Sequence, residues 1–335
     1  MAKVDDGFKQ SEKMLNDLER RIHKEYAQAK KEMGEKVDAY FAKFKEKDEK
    51  MRQAYQNKEI SLQEYRDWRM RQMATGRRYI AMRDALAADL TNTDKIAMSY
   101  VNDKIIDAYA LNMNYGTYSI EHDSRIDTSF TLYNRDAVQR LIKDNPDLLP
   151  LNPEVDIDKD LRWNKQHINS AITQGILQGK SIPAIAKNLQ RVTGMDERAA
   201  IRNARTAMTG AQNGGRYDSI KRASKRGIGV KKGWEAVLDH VTRDSHVDLD
   251  GEVVDEDKRF SNGLMFPGDT SNFIPEEIYN CRCRLTHEYD KYRTDWSNLE
   301  NRRHDELGDM SYEEWKAAHH EKAMKIRAKQ REKYG

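Results

Sequence analysis

The residues best suited to chemistry stand near Cys281 and Cys283, the only two cysteines of the chain. Alternate residues of an extended segment share a face, so both thiols point the same way. With His246, and with Asp239 or His240 as the fourth ligand, they would make a tetrahedral zinc ligand set. The alternative, which a single C-x-C pair favours, is a metal-free core in which the cysteines pack as small hydrophobes beside a network of Asp239, Arg243 and His246. No cofactor is therefore expected, and zinc stays a candidate.

The same residues also fit an enzyme, either a zinc-assisted hydrolase or a nucleotide-directed activity. In that alternative His246 or Asp239 is the base, the two cysteines hold the metal and Arg243 binds phosphate. The sequence lacks a P-loop, a G-x-S-x-G elbow, an H-E-x-x-H helix and a dinucleotide-binding glycine motif. We therefore predict that the chain is not an enzyme, and we name no catalytic residue.

Four ordered motifs contain these residues. They read A-R-T-A-M-T-G-A-Q-N-G-G-R from Ala204, W-x4-D-x2-T-R-D-S-H-x2-L-D-G from Trp234, P-G-D from Pro267 and E-x3-N-C-R-C-R from Glu276. In this order they resemble the phage Mu F-like domain over roughly residues 165–290. By matching position, the characteristic residues of that family fall on Arg205, Thr206, Trp234, Asp239, Thr242, Arg243, His246, Asp250, Gly251, Pro267, Gly268, Asp269, Asn280, Cys281, Arg282 and Cys283.

The resemblance implies a head morphogenesis or minor capsid protein of a tailed bacteriophage. Members of that family are virion components present in few copies, assembled in the host cytoplasm and located inside the head near the portal vertex. The implied partners are the phage portal protein, the major capsid protein or both, with packaged double-stranded DNA as a further contact in some members. The resemblance implies no settled catalytic activity.

Charge and composition favour long, solvated helices. Lys and Arg number 59 and Asp and Glu 56, so 34 % of residues are charged while the net charge is only +3. Such a balance fits helices with one narrow apolar stripe. No apolar run is long enough to cross a membrane, and the N-terminus has no secretory signal, so we expect a protein that is soluble, made in a cytoplasm and without a membrane partner.

The N-terminal part, residues 1–112, is predicted to be an elongated, coiled-coil-like helical region. Its apolar positions are spaced by three and four residues and repeat every eleven: Leu18, Ile22, Tyr26, Ala29, Met33, Val37, Tyr40 and Phe44. Ser61 and Glu64 have capping-box spacing at the start of a second helix. A break at residues 91–93 precedes a third helix over residues 96–111.

The remaining chain is predicted to contain a connector at residues 113–164, an α+β domain at residues 165–290 and a basic C-terminal helix at residues 291–335. The fold class is thus mainly α, with long N-terminal helices joined to a compact domain of helices and a small sheet. In that domain one helix starts near residue 181 and another, capped by Asp196, starts after Gly194. Asp-Gly, Asn-Gly and Pro-Gly pairs indicate strands and turns over residues 234–286.

Charge is sorted along the second half of the chain. Residues 191–234 are strongly basic and residues 235–257 strongly acidic, so these segments could neutralise each other. The C-terminal helix is basic with no acidic segment beside it, and it opens at Ser311 with a second capping box to Glu314. The sequence has no base-reading motif, so DNA contact would be independent of base sequence. The candidate contacts to DNA or an acidic partner are Lys322, Lys325, Arg327, Lys329, Arg331 and Lys333.

Overall fold

A computed structural model of the chain describes residues 6–127, 130–144, 156–272, 274–295 and 310–334. Helices dominate this part, and a small antiparallel sheet lies near the C-terminus, which confirms the predicted mainly α fold with a C-terminal α+β part. The proline-rich stretch of the predicted connector lies outside the described residues, as do residues 296–309 between the sheet and the last helix.

The elements follow one another in a simple order. They are α1 (Asp6–Ala42), α2 (Lys45–Gln56), α3 (Leu62–Met73), α4 (Gly76–Ser124), α5 (Arg135–Asp144), α6 (Ile157–Leu177), α7 (Ile182–Lys225), β1 (Val230–Glu235), α8 (Asp244–Asp248), β2 (Val253–Asp255), α9 (Pro275–Ile278), β3 (Arg284–Tyr289) and α10 (Tyr312–Tyr334).

The chain forms two compact units, each assembled from separated segments. The helical unit comprises Leu18–Tyr100 and Glu154–Ile201, and the sheet unit comprises Met1–Asp17, Val101–Pro153 and Arg202–Gly335. The predicted boundaries after residues 112, 164 and 290 do not coincide with this division. The first of them falls inside α4, and helices α1, α4 and α7 each contribute residues to both units.

The helical unit buries the stripe that the eleven-residue spacing predicted. Leu18, Ile22 and Val37 are at most 1 % exposed, whereas Ala29 and Phe44 are half-buried. A stripe of this kind holds a highly charged helix in place because its apolar face leaves water while the charged faces stay solvated.

Helix α3 begins where its sequence predicted. The Ser61 hydroxyl accepts a hydrogen bond from the Glu64 amide at 3.1 Å, and the Glu64 carboxylate accepts one from the Ser61 amide at 2.8 Å. The two bonds satisfy amide groups that have no partner within the first turn of a helix, so this reciprocal cap fixes the start of α3.

Two predicted helix breaks are wrong. Helix α4 runs through residues 91–93, where the Thr93 hydroxyl donates to the Asp89 carbonyl at 3.0 Å and so remains satisfied inside the helix. Helix α7, 44 residues long, likewise continues through Gly194 and Asp196. The cost of one glycine in a helix, about 1 kcal/mol, is offset here because the flanking side chains of Val192 and Thr193 are buried.

The sheet has strand order β2-β1-β3 and is antiparallel throughout. Trp234 of β1 pairs with Leu285 of β3, and both side chains enter a core that also receives the C-terminal part of α7. The strand and turn pattern predicted for this part of the chain is thus present, although β1 begins at Val230, before the first predicted cluster.

Helix α10 starts with the predicted capping box. Ser311 and Glu314 exchange the same pair of bonds as the cap of α3, at 2.8 and 3.3 Å. Trp315 is 2 % exposed and donates its indole N–H to the buried Glu121 carboxylate at 2.6 Å, which fixes the first turns of α10 on α4. Across the described ranges of the chain, no helix is both long enough and apolar enough to cross a membrane.

Candidate functional site

The loop between β1 and β2 carries His246 into the core of the sheet unit. The Asp250 carboxylate accepts from the Ala236 amide at 2.8 Å, and the Gly251 amide donates to the Trp234 carbonyl at 2.9 Å, so the two ends of the loop are closed on each other. Helix α8 lies between these ends. Its His246 side chain is 2 % exposed and meets the Trp234 ring edge to face, with centroids 5.5 Å apart.

Helix α7 holds the segment that contains both cysteines. Thr206 accepts from the Asn280 amide at 3.1 Å, and Thr209 donates to the Cys281 carbonyl at 2.6 Å. Asn213 donates to the Cys283 carbonyl at 3.0 Å and accepts from the Leu285 amide, two residues further along the chain, at 2.9 Å. Three polar side chains on one face of the helix therefore fix the backbone over the start of β3.

These two supports bring three ligand-type side chains together. His246 Nδ1 lies 3.3 Å from the Cys283 sulfur and 3.8 Å from the Cys281 sulfur, and the ligand atoms of all three residues lie within 4.8 Å of one another. The cysteines are 1 % and 2 % exposed. The structure thus assembles three of the four predicted ligands.

A carboxylate orients the imidazole from its other side. Glu277 Oε2 lies 3.0 Å from His246 Nε2, and the same carboxylate accepts bonds from Ser245 at 2.9 Å and Asn262 at 3.1 Å. Burial raises the pKa of Glu277, but these hydrogen bonds and the neighbouring imidazole outweigh it and leave that pKa below its usual value. The imidazole therefore presents Nδ1 to the sulfur atoms while Nε2 faces a carboxylate.

The pKa values of the two thiols are shifted in opposite directions. A hydrogen bond from the Cys281 thiol, together with the neighbouring His246, lowers the pKa of Cys283 despite its burial, whereas donating that bond and burial raise the pKa of Cys281. Cys283 can therefore form a thiolate that the Cys281 thiol stabilises. The thiolate is the form of cysteine that acts as a ligand or nucleophile.

Asp239, the predicted fourth ligand, lies elsewhere. Both of its carboxylate oxygens accept from Arg282 at 2.7 Å, and the side chain is exposed. The bonds from Arg282 and from the Val241 amide hold the pKa of Asp239 well below its usual range. Arg243 does not join a network with Asp239 and His246 either, because its guanidinium donates to the Tyr279 carbonyl. The prediction of a shared Asp239, Arg243 and His246 network is thus wrong.

The P-G-D motif forms a tight loop against α7. Gly268 has φ +84°, and Pro267 accepts a bond from Asn213 at 3.1 Å. The Asp269 carboxylate, 3 % exposed, accepts from the Met265 and Ser271 amides, both at 2.8 Å. These residues shape the backbone around the site and do not face the sulfur atoms. In the motif that starts at Ala204, Thr206 is buried against the cysteine segment, whereas Arg205 is exposed.

Four residues that build this region were not identified from the sequence: Thr209, Asn213, Glu277 and Lys232. Thr206, Thr209 and Asn213 follow the steps of three and four residues of one helix face, so Thr209 and Asn213 could have been found as part of a short polar stripe that begins at Thr206. Lys232 gives no such signal. Its ammonium group is buried, donates to the Met265 carbonyl at 2.8 Å, and has its pKa lowered to about 8 by burial.

The basic and acidic segments meet at the sheet, where Lys231 of β1 pairs in register with Asp255 of β2. The hydrogen bond from Arg293 and the charge of Lys231 both lower the pKa of Asp255. Other residues of the two segments have partners elsewhere. Four arginines of the basic segment lie over aromatic rings, at 5.4, 4.5, 4.3 and 4.7 Å from the centroids: Arg202 over Tyr279, Arg216 over Phe8, Arg222 over Tyr133 and Arg226 over Phe130. In the acidic segment, Asp239 pairs with Arg282 and Asp255 pairs with Arg293. The predicted mutual neutralisation is therefore present in part, at the β1–β2 pair, while these contacts involve partners outside the two segments.

The basic C-terminal helix presents one described candidate for DNA contact. Lys325 is exposed and pairs with Glu321 at 2.6 Å, a spacing of one helical turn. The helix itself is described through Tyr334, so Lys322, Arg327, Lys329, Arg331 and Lys333 also lie on α10, and their side chains are outside the described set.

Comparison with known proteins finds one family match and two relatives for this region. Residues 166–286 match the family of phage Mu protein F-like proteins. The chain is 26 % identical over 209 residues to the minor head protein of Bacillus phage SPP1, an alignment that covers 62 % of this chain and 67 % of that protein. It is 29 % identical over 205 residues to an NAD(+)–arginine ADP-ribosyltransferase of Enterococcus faecalis, which covers 60 % of this chain and 41 % of that protein. No solved structure matches the chain.

Proposed function

From the phage Mu F-like domain that the chain carries at residues 166–286, we propose that this protein is a minor head protein of a tailed bacteriophage that acts in head morphogenesis. The observation that carries the proposal is the similarity to the SPP1 minor head protein, which extends over two thirds of that protein and well beyond the matched domain.

The geometry of the domain supports a structural role. The motif residues that α7 contacts have their backbone groups fixed by Thr206, Thr209 and Asn213, and the His246 cluster is buried. A hydrolytic site needs a reactive group that a substrate can reach. Motif residues that shape a core, rather than line an open cleft, are what a domain needs when its task is to keep one shape in an assembly.

The proposed partners are the portal protein and the major capsid protein, with a position inside the head near the portal vertex. The test is co-expression of the chain with the portal protein of the same phage or prophage genome, followed by size exclusion with mass detection. Co-elution as a complex larger than the portal alone is the expected result. A free chain beside an intact portal oligomer, repeated with the major capsid protein, would overturn the proposed partners.

We also propose that packaged DNA is a contact of α10. Lys325 and the five basic residues that share its helix supply cations with few acids to neutralise them, and such contacts bind phosphates without reading bases. A filter-retention assay compares the full chain with a variant in which the six Lys and Arg residues are changed to Gln. Retention should fall for the variant and for the full chain at raised salt; equal retention at every salt concentration would contradict the contact.

An enzyme remains the rival proposal because one relative is named as an ADP-ribosyltransferase. That alignment covers 41 % of the relative, so the similarity concerns less than half of the protein that bears the name. The test is consumption of NAD+ by the purified full chain with and without an arginine-containing acceptor protein. We expect no consumption above the buffer control, and turnover that depends on the chain would overturn the structural assignment.

A further inference from the structure

We propose that His246, Cys281 and Cys283 bind one Zn²⁺, which joins helix α8 to the segment that leads into β3. The proposal goes beyond a role in the phage head and does not depend on it. It rests on the positions of the three ligand atoms, on the groups that hold them and on the charge of the resulting assembly.

The spacing of the ligand atoms fits a tetrahedral zinc ion. Zn–S bonds of about 2.3 Å and Zn–N bonds of about 2.0 Å place a sulfur and a nitrogen ligand about 3.5 Å apart on a tetrahedron. His246 Nδ1 lies 3.3 and 3.8 Å from the two sulfur atoms, which brackets that distance. The histidine nitrogen therefore already lies at ligand spacing from both sulfur atoms.

The outer contacts of the imidazole are those of a metal ligand. Histidines that bind a metal usually place their second ring nitrogen against a carboxylate or carbonyl, which fixes the orientation of the ring. Here Glu277 lies 3.0 Å from His246 Nε2, and Ser245 and Asn262 hold that carboxylate in place. The ring is thus oriented with Nδ1 toward the sulfur atoms.

The cysteine backbone is equally fixed. Thr209 and Asn213 of α7 hold the carbonyls of Cys281 and Cys283 at 2.6 and 3.0 Å. Ligands that are already held in position lose little conformational freedom when a metal binds, and this favours tight binding. Two elements far apart in sequence would then be tied by one ion.

Charge also favours zinc at this depth. Two thiolates cancel the +2 charge of the ion and a neutral imidazole adds none, so the buried assembly carries no net charge and avoids the cost of an isolated buried ion. In the described part of the chain the group contains three such residues, and the fourth tetrahedral position is left for a water molecule. Softer sulfur ligands select zinc over magnesium or calcium.

The first experiment measures metal in the purified full-length chain after expression in zinc-supplemented medium. We expect about one zinc per chain, and replacement by Co²⁺ should add sulfur-to-cobalt charge-transfer absorption. Since the chain contains only two cysteines, that absorption can arise only from Cys281 and Cys283. A chain without zinc and without this absorption overturns the proposal, as does a disulfide between the two cysteines detected by mass spectrometry.

Variants then assign the ligands. Cys283→Ser and His246→Ala should lower the zinc content at least tenfold, whereas His240→Ala, which changes an exposed histidine of the same loop, should leave it unchanged. Full zinc content in the Cys283→Ser variant would overturn the assignment. Where a variant does not fold, a mercurial reagent is titrated into the wild-type chain with a metal indicator: zinc release in step with modification of the two thiols supports the site, and modification without release contradicts it.

Discussion

The backbone of Gly268 packs directly on that of Gly210 in α7. A Cβ added at Gly268 would lie 2.9 Å from both the Cα and the amide nitrogen of Gly210, distances that real Cβ contacts do not show. The P-G-D loop therefore lies so close to α7 that no side chain fits between them, and it does so beside Asn213, which donates to the Pro267 carbonyl. The motif glycine is required by space as well as by its φ of +84°.

A change of Gly268→Ala should destabilise the domain by about 2 to 4 kcal/mol, because a left-handed φ costs an L-residue about 1 kcal/mol or more and the contact with Gly210 adds overpacking. Gly251→Ala is the matched control, since Gly251 has φ +80° but open space around an added Cβ. It should cost only the backbone part, about 1 kcal/mol. Urea unfolding of both variants measures the difference, and equal losses would refute the close packing.

Asn213 should be a larger single contributor to stability than its size suggests. It is fully buried and bonds to the backbone of the P-G-D loop, the cysteine segment and β3. Asn213→Ala leaves these buried backbone groups without partners, at a cost of about 2 to 4 kcal/mol. Gln212→Ala, at the neighbouring half-buried position, should change stability by less than about 1 kcal/mol. A small loss at Asn213 in thermal unfolding would contradict the role assigned to this side chain.

Lys232 should make the stability of the sheet unit rise with pH. Burial lowers its pKa to about 8 in the folded chain from a usual value of 10.5, so between these values the unfolded chain binds more protons. The free energy of unfolding should therefore increase by up to about 1.4 kcal/mol per pH unit between pH 8 and 10.5, and stay flat from this group below pH 8.

The variant Lys232→Met isolates that contribution, because methionine keeps much of the length of the side chain without the charge. Above pH 8 the free energy of unfolding of the wild type should rise relative to that of the variant. Urea unfolding of both proteins at fixed salt measures this change. A difference that does not change between pH 7 and 9.5 would show that Lys232 does not titrate in this range.

Asp196 should act in the opposite direction in the helical unit. Burial, with Asp94 and Asp160 nearby, raises its pKa to about 8, and one carboxylate oxygen is buried without a hydrogen-bond partner. The folded chain therefore keeps this proton to a higher pH than the unfolded chain, and stability should fall as the pH rises from about 4 to 8. Asp196→Asn should stabilise the chain at pH 8 and flatten this dependence.

The control for Asp196 is Asp38→Asn, which changes an exposed carboxylate of α1 in the same unit. Thermal unfolding at pH 5 and pH 8 compares the three proteins. An Asp196→Asn variant that is destabilised at pH 8, or that follows the pH dependence of the wild type, would count against a protonated Asp196 in the fold.

Elements whose signals are local could be predicted from the sequence. The apolar stripe of α1 and the capping boxes at Ser61 and Ser311 depend on residues within four positions of each other, so their outcome is set by hydrogen bonds and burial within one helix. The ordered motifs in the second half of the chain likewise indicated the resemblance to phage Mu F-like proteins, and the family match over residues 166–286 agrees with it.

Tertiary structure decided what local signals could not. Helices α4 and α7 continue through predicted breaks because burial on neighbouring elements outweighs the weak preference of one glycine or threonine. At the site, Asp239 was as good a ligand candidate as His246 by type and spacing. Only the fold shows that Asp239 pairs with Arg282 at the surface. It also shows that Trp234 and Glu277 position His246 against the cysteines. These contacts join residues 12 to 43 positions apart, so no local signal reports them.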